Sequence, residues 1–368
     1  MSIESKIREL IQQKGYMSLD EVIETAMSRY STSYYRTYQP LGADADFMTS
    51  PEISQMFGEM IGVWCLDVWN QLDKPEQCNI VEYGSGLGTL MRDILRTVQQ
   101  NQQFYQSLNI WIIDINPILI EKQRNSLQHF GINIYWVDSI EDVSKDPTIV
   151  IANEFFDAMP VKQYVKQKTE WKENVVVVDP GDAKLAFDVR GIKKILEQQL
   201  SLEHKYAGDG SVLEESPESI KIIKSIASHI EENDGAALII DYGYDIRPKF
   251  RKAYQYTQTI QAVKNHKYVP ILSNLGQSDL SSHVDFWALK NAVSLNDVQT
   301  YGAISQRRLL MKCGINIRFK TLLNKNPDML DMLHRQYNRL VGLDQMGELF
   351  KAITITSSAK IIPLGFYS

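Results

Sequence analysis

Apolar residues recur at helical spacing at the start of the chain, as Ile3, Ile7, Leu10 and Ile11, then Leu19, Val22, Ile23 and Ala26. Gly15 separates the two runs, and the pattern predicts two amphipathic helices. A further run of Ile53, Met56, Phe57, Met60, Ile61 and Trp64 predicts a helix that starts at Thr49 or Ser50. Pro51 would sit in its first turn and Glu52 near its positive end. From there the pattern changes to short apolar runs at 79–83, 110–114, 132–137, 148–152 and 236–241. Helical stretches lie between them, one carrying Leu90 to Val98 and one opened by Pro117 and ending at Leu127. Such alternation predicts an α/β fold with a doubly wound parallel sheet, whose strands offer ligands their carboxyl ends. The runs at 352–356 and 361–364 are expected to add strands at one edge. Residues 161–208, with a hairpin predicted from 163–165 and 175–178, read as an inserted lobe, and the polar residues 244–300 as a second insertion. The expected organisation is an N-terminal helical region over 1–75 and a ligand-binding domain over 76–368.

The junction after the first of these strands carries the most chemistry. Gly84, Gly86 and Gly88 follow it directly, and glycines let the backbone turn tightly and approach a ligand without a Cβ in the way. Glu82 stands at the strand's carboxyl end, and Asp114 ends the next strand, where a carboxylate can hold a ribose diol. A glycine triplet alone also suits a plain strand-to-helix connection; the two acids make it read as a nucleoside site. An acid ahead of the glycines favours S-adenosylmethionine over a dinucleotide, and the spacing is not Gly-x-Gly-x-x-Gly. In this reading the turn hugs the amino-acid part, Glu82 binds near it, Asp114 takes the ribose hydroxyls and Asp138 meets the adenine amine. No phosphate-binding loop ending in Gly-Lys is present.

The fourth strand bursts into polar and aromatic residues at its end, with Asn153, Glu154 and Asp157 as candidates to bind a reacting nitrogen. The plainer alternative is that Asn153 or Asp157 merely caps the next helix. Asp241 and Tyr242 repeat the pattern at another strand end, and His283 and Asp285 lie two residues apart. No nucleophile elbow or His-Glu-x-x-His is found, so hydrolase readings fall away.

Composition narrows the classes further. A net charge of −6 gives no bulk attraction to nucleic acid. Cys65, Cys78 and Cys313 are scattered without metal-ligand spacing, which suggests core thiols and no metal. No apolar run approaches the roughly 20 residues that span a bilayer. The first residues, Met-Ser-Ile-Glu-Ser-Lys-Ile, carry neither a signal-peptide core nor a transit composition, and the expected location is cytoplasmic.

Five motifs in order then resemble the MidA family. They are Asp46-Phe-Met-Thr-Ser-Pro-Glu-Ile-Ser-Gln-Met-Phe-Gly-Glu59, Glu82-Tyr-Gly-Ser-Gly-Leu-Gly-Thr-Leu, Asn153-Glu-Phe-Phe-Asp-Ala-Met-Pro, Ile240-Asp-Tyr-Gly and Asp279-Leu-Ser-Ser-His-Val-Asp-Phe. The resemblance implies a class I, Rossmann-like methyltransferase that uses S-adenosylmethionine. For the family's mitochondrial branch it implies arginine dimethylation of a respiratory complex I subunit and a part in complex I assembly. Ala45 stands where the family usually has glycine, and residues 259–266 where it has an arginine-rich stretch. On this reading Glu154 and Asp157 clamp a guanidinium, Asn153 orients it, and His283 is a candidate base. A protein segment would enter among residues 47–52, 153–160 and 279–286, meeting Phe47, Thr49, Glu52, Asp241 and Asp285. An assembly factor that binds cofactor without transfer, or a methylase of a small molecule, would share the same cofactor site.

Overall fold

The five apolar runs form strands Cys78–Tyr83 (β1), Leu108–Ile113 (β2), Ile134–Val137 (β3), Thr148–Asn153 (β4) and Gly235–Tyr244 (β5) in the computed structural model, which describes residues 2–37 and 49–367. Two further strands, Gln299–Ser305 (β6) and Phe350–Thr356 (β7), complete the order β6-β7-β5-β4-β1-β2-β3. The pairs from β5 through β3 are parallel, whereas β7 runs antiparallel to both β5 and β6. Every residue of β1 and of β4 is buried, which is why both read as unbroken apolar runs. The chain leaves β1 toward β2 on one side while β4 pairs on its other side. The carboxyl ends of β1 and β4 are therefore the topological switch point, where open α/β sheets hold ligands.

Helices Gln55–Gln71 (α1), Thr89–Val98 (α2) and Pro117–Leu127 (α3) belong to this same body. Contact between α1 and α2 depends on glycine. A Cβ on Gly58 would stand 2.6 Å from Asp93 Cβ, and one on Gly62 3.0 Å from Thr97 Cβ. Beside that contact Arg318 grips Glu59 with two hydrogen bonds of 2.6 and 2.7 Å. The core is filled by Phe57, Trp64 and Trp69 with the apolar residues of the strands.

Three elements differ from expectation. The helix predicted from Thr49 is broken at Ser54, whose backbone is extended (φ −163°, ψ 139°) and whose Oγ accepts from Met56 N to cap α1. Residues 361–364 are not a strand; Pro363 lacks an amide hydrogen for a ladder. Strand β6 was not foreseen because it is a largely exposed, polar edge strand without apolar alternation.

Two compact units result. The described residues within Leu41–Phe156, Ile222–Gly243 and Leu289–Ser368 form the sheet body above, and those within Met1–Pro40, Asp157–Lys221 and Tyr244–Ala288 form the other. In the latter, helices Ile3–Lys14 and Leu19–Met27 form as predicted, the first ending at Gly15 with φ 86°. They bury Ile7, Ile11, Val22 and Ile23 with Val176 and Leu280. Strands Lys162–Gln167 and Glu170–Val178 form the expected hairpin, extended by Met17–Ser18, Leu185–Gly191 and Val212–Glu215, all antiparallel. A small sheet of Gln261–Lys264, Lys267–Val269 and Asp279–Ser281 is turned by Asn265 and His266, both at positive φ. Among the described residues no helix is long and apolar enough to cross a membrane.

Candidate functional site

The turn after β1 needs all three of its glycines. Gly84, Gly86 and Gly88 have φ of 62°, 55° and 75°, in the left-handed region that L side chains avoid. Space is also tight at two of them: a Cβ on Gly84 would lie 3.0 Å from the Phe155 ring, and one on Gly88 3.3 Å from Gln123 Cα. Gly84 N donates to Ile113 O at 2.9 Å, which draws the ends of β1 and β2 together. Glu82 is 2% exposed and accepts from Ser85 Oγ at 2.8 Å. Burial pushes its carboxyl up to about 8, so it holds its proton at neutral pH until a cation approaches.

Asp114 follows β2, with Oδ1 accepting from Asn116 N at 2.9 Å and Oδ2 from Gln123 Nε2 at 2.7 Å. Burial holds its carboxyl above the ordinary range. Asn116 in turn caps α3, its Oδ1 accepting from Ile118 N and Leu119 N. Asp138, just after β3, is exposed. Gln123 was not singled out by sequence, because a lone glutamine in a helix resembles a solvated position. It is fully buried and donates to the Gly86 carbonyl as well as to Asp114.

At the end of β4, Asn153 is 8% exposed and its buried Oδ1 has no hydrogen-bond partner among the described residues, while its Nδ2 donates to Glu154 Oε1 at 3.3 Å. Glu154 adopts φ 49°, a left-handed conformation uncommon outside glycine. Its backbone N donates to Ile240 O, and its Oε1 accepts from Ser50 N at 2.7 Å. Burial raises its carboxyl above the ordinary range. Asp241 is fully buried; its Oδ2 accepts from Phe156 N at 3.0 Å and its Oδ1 from Tyr242 N. The turn after β4 is thus pinned from β5. Ser50 as a partner left no trace in sequence, since a backbone amide belongs to no residue type.

Thr49 precedes the short helix Ser50–Ile53 as its N-cap, and Glu52 lies partly buried in that helix's first turn. Phe47 and Asp46 lie outside the described residues. In the other unit, Asp157 O accepts from Ser282 N at 2.9 Å, and Tyr35 donates its hydroxyl to Asp279 Oδ1 at 2.5 Å. Burial and the charges of Asp279 and Asp157 push the Tyr35 hydroxyl well up. His283 is exposed, its backbone N donating to Thr259 Oγ1 at 2.9 Å. Asp285 accepts from Ala288 N, and burial pushes its carboxyl up to about 6.

Residues 60–304 match the model of a protein family described as "Putative S-adenosyl-L-methionine-dependent methyltransferase". The chain belongs to that family. This methyltransferase is 32% identical to the protein arginine methyltransferase NDUFAF7, mitochondrial, of Danio rerio, over 94% of this chain and 85% of the relative. It is 30% identical to the Homo sapiens protein of the same name, over 92% of this chain and 80% of the relative. Among solved structures it is similar to a Burkholderia thailandensis protein bound to S-adenosyl-homocysteine, with a TM-score of 0.86 at 22% identity, covering 100% of this chain and 92% of that one. That likeness establishes the class I methyltransferase fold, with its doubly wound sheet.

The cofactor is S-adenosylmethionine, and the residues of the switch point fit it. A turn closed to side chains, a buried acid that a cationic amino acid would ionise and a carboxylate held beside the turn suit an amino-acid nucleoside. One expectation is corrected. The relatives are named mitochondrial proteins, so the cytoplasmic reading does not stand. It rested on the composition of the first residues, and these form the capped start of the helix Ile3–Lys14, where Ile3 and Ile7 serve the core.

Proposed function

We propose that the methyltransferase modifies an arginine of a protein, and that its partner is a subunit of a complex I-type NADH dehydrogenase. The carrying observation is that relatives covering more than nine-tenths of the chain bear the name protein arginine methyltransferase. The end of β4 supports this reading. Asn153 Oδ1 is an acceptor without a donor among the described residues, and Glu154 beside it is a carboxyl held at a strained turn. A guanidinium is a planar array of donors that such acceptors can orient.

Bound S-adenosylmethionine supplies an activated methyl group on a sulfonium. The chain's own residues must then align the acceptor, exclude water and neutralise its charge. In this proposal the Gly84–Gly88 turn and Glu82 hold the amino-acid part, Asp114 the ribose and Asp138 the adenine amine. Asn153 orients the acceptor nitrogen and Glu154 takes the positive charge. Phe47, Thr49, Glu52 and Asp241 receive the surrounding segment. Proteomic mass spectrometry with and without the gene tests the reading. Methylarginine on one protein that vanishes in the deletion supports it, and an unchanged set of methylarginines refutes it.

A further inference from the structure

Gln123 lies midway along α3 with every face of its amide engaged. Nε2 donates to Gly86 O at 3.0 Å and to Asp114 Oδ2 at 2.7 Å, while Oε1 accepts from Trp136 Nε1 at 3.0 Å. One side chain thus joins the turn after β1, the carboxylate after β2 and the indole within β3. Packing alone would not call for it. A methionine fills nearly the same volume, and a buried amide costs free energy unless each polar atom is paired. Helix α3 also packs closely on the turn here, since a Cβ on Gly88 would stand 3.3 Å from Gln123 Cα.

We infer that Gln123 is the positioning residue of the cofactor site. It fixes the Asp114 carboxylate and the Gly86 peptide in their binding orientations before the ligand arrives. Glycine turns have many accessible conformations, and Gly86 has no side chain to hold it. Without Gln123, Asp114 would lose its only side-chain donor among the described residues, in a half-buried place. Organisation in advance raises affinity by removing the cost of ordering from the binding step. The inference rests on the cofactor reading of the turn and Asp114, and is independent of the methyl acceptor.

Calorimetric titration of S-adenosyl-homocysteine into the whole chain tests it, with Gln123→Met, Gln123→Glu, Asp114→Asn and the double variant Gln123→Met/Asp114→Asn. Gln123→Met is expected to weaken binding about 10- to 100-fold, as loss of a supporting shell does elsewhere. On the Asp114→Asn background the same change should cost far less, because the two residues act as one unit. Compared with wild type at the same pH, Gln123→Glu should bind nearly as well near pH 5, where a protonated acid can still donate. It should fall about tenfold or more behind wild type by pH 8 as two facing carboxylates repel. This last profile decides the matter if Gln123→Met does not fold. Additive losses in the double variant, or a Gln123→Glu profile parallel to the wild type, would overturn the inference. A wild-type chain that does not bind S-adenosyl-homocysteine would instead strike the cofactor reading itself.

Discussion

Ser50 donates its backbone amide to Glu154 Oε1 at 2.7 Å, across 104 residues of chain. Glu154 is already held in a left-handed turn by its own N–H bond to Ile240 O. Two independent constraints therefore fix one carboxyl group at the end of β4, beside the Asn153 Oδ1 that has no partner among the described residues. Strain of this kind persists only where surrounding contacts enforce it.

Glu154→Gln keeps the shape of the side chain and its acceptor for Ser50 N, and removes the charge. Methyl transfer should fall about 10²- to 10⁴-fold, the range for loss of an acid–base or electrostatic group. Binding of S-adenosyl-homocysteine should stay within a few-fold of wild type. Initial rates and calorimetry on the same preparation separate the two; equal losses in both would assign Glu154 to the cofactor instead.

With Glu82 at the cofactor's amino-acid part, as proposed, binding is expected to depend on pH. Its carboxyl is pushed up to about 8 in the free protein, and a cationic ligand lowers it by favouring the ionised form. Binding near neutral pH should therefore release a proton, and affinity should rise with pH until about 8 and then level. Calorimetry in buffers of different ionisation enthalpy reads that proton directly. Stability carries the opposite sign. The unfolded carboxyl ionises near 4.5 and the folded one near 8, so the folded state binds more protons between them. Stability through this group is then lost as pH rises across that window, and Glu82→Gln should flatten the dependence.

Gly84→Ala places a methyl 3.0 Å from the Phe155 ring at φ 62°. The left-handed backbone alone costs roughly 1–2 kcal/mol for an L residue. Thermal unfolding should show that loss, and affinity for S-adenosyl-homocysteine should fall by more than the stability change explains, because the turn itself must move.

Arg318→Met leaves Glu59, 6% exposed, with only the longer 3.3 Å contact from Arg96. Breaking a largely buried pair should cost about 1–4 kcal/mol, tempered by the partial exposure of Arg318. Denaturant unfolding measures it. Cofactor affinity should be unchanged, since this pair stands between α1 and the helix Ile315–Lys325 rather than at the strand ends.

The sheet was legible because burial on both faces writes strands as plain apolar runs, as in residues 148–153. The turn was legible because Gly84, Gly86 and Gly88 meet a backbone demand that other residues do not. Hidden features lacked a side-chain signature. Strand β6 sits at an edge with polar residues, and the break at Ser54 follows from a cap that competes with helix continuation. Gln123 was hidden for a different reason: its polarity reads as exposure, whereas it is buried and fully paired.

The central claim is transfer of a methyl group from S-adenosylmethionine to arginine in a protein. Its most direct measurement is tandem mass spectrometry of a complex I-type subunit after incubation with the purified chain and isotopically labelled S-adenosylmethionine. Labelled methyl groups on one arginine, absent when that residue is lysine or the chain carries Glu154→Gln, are the expected result. An unlabelled subunit alongside a labelled small amine would contradict the claim.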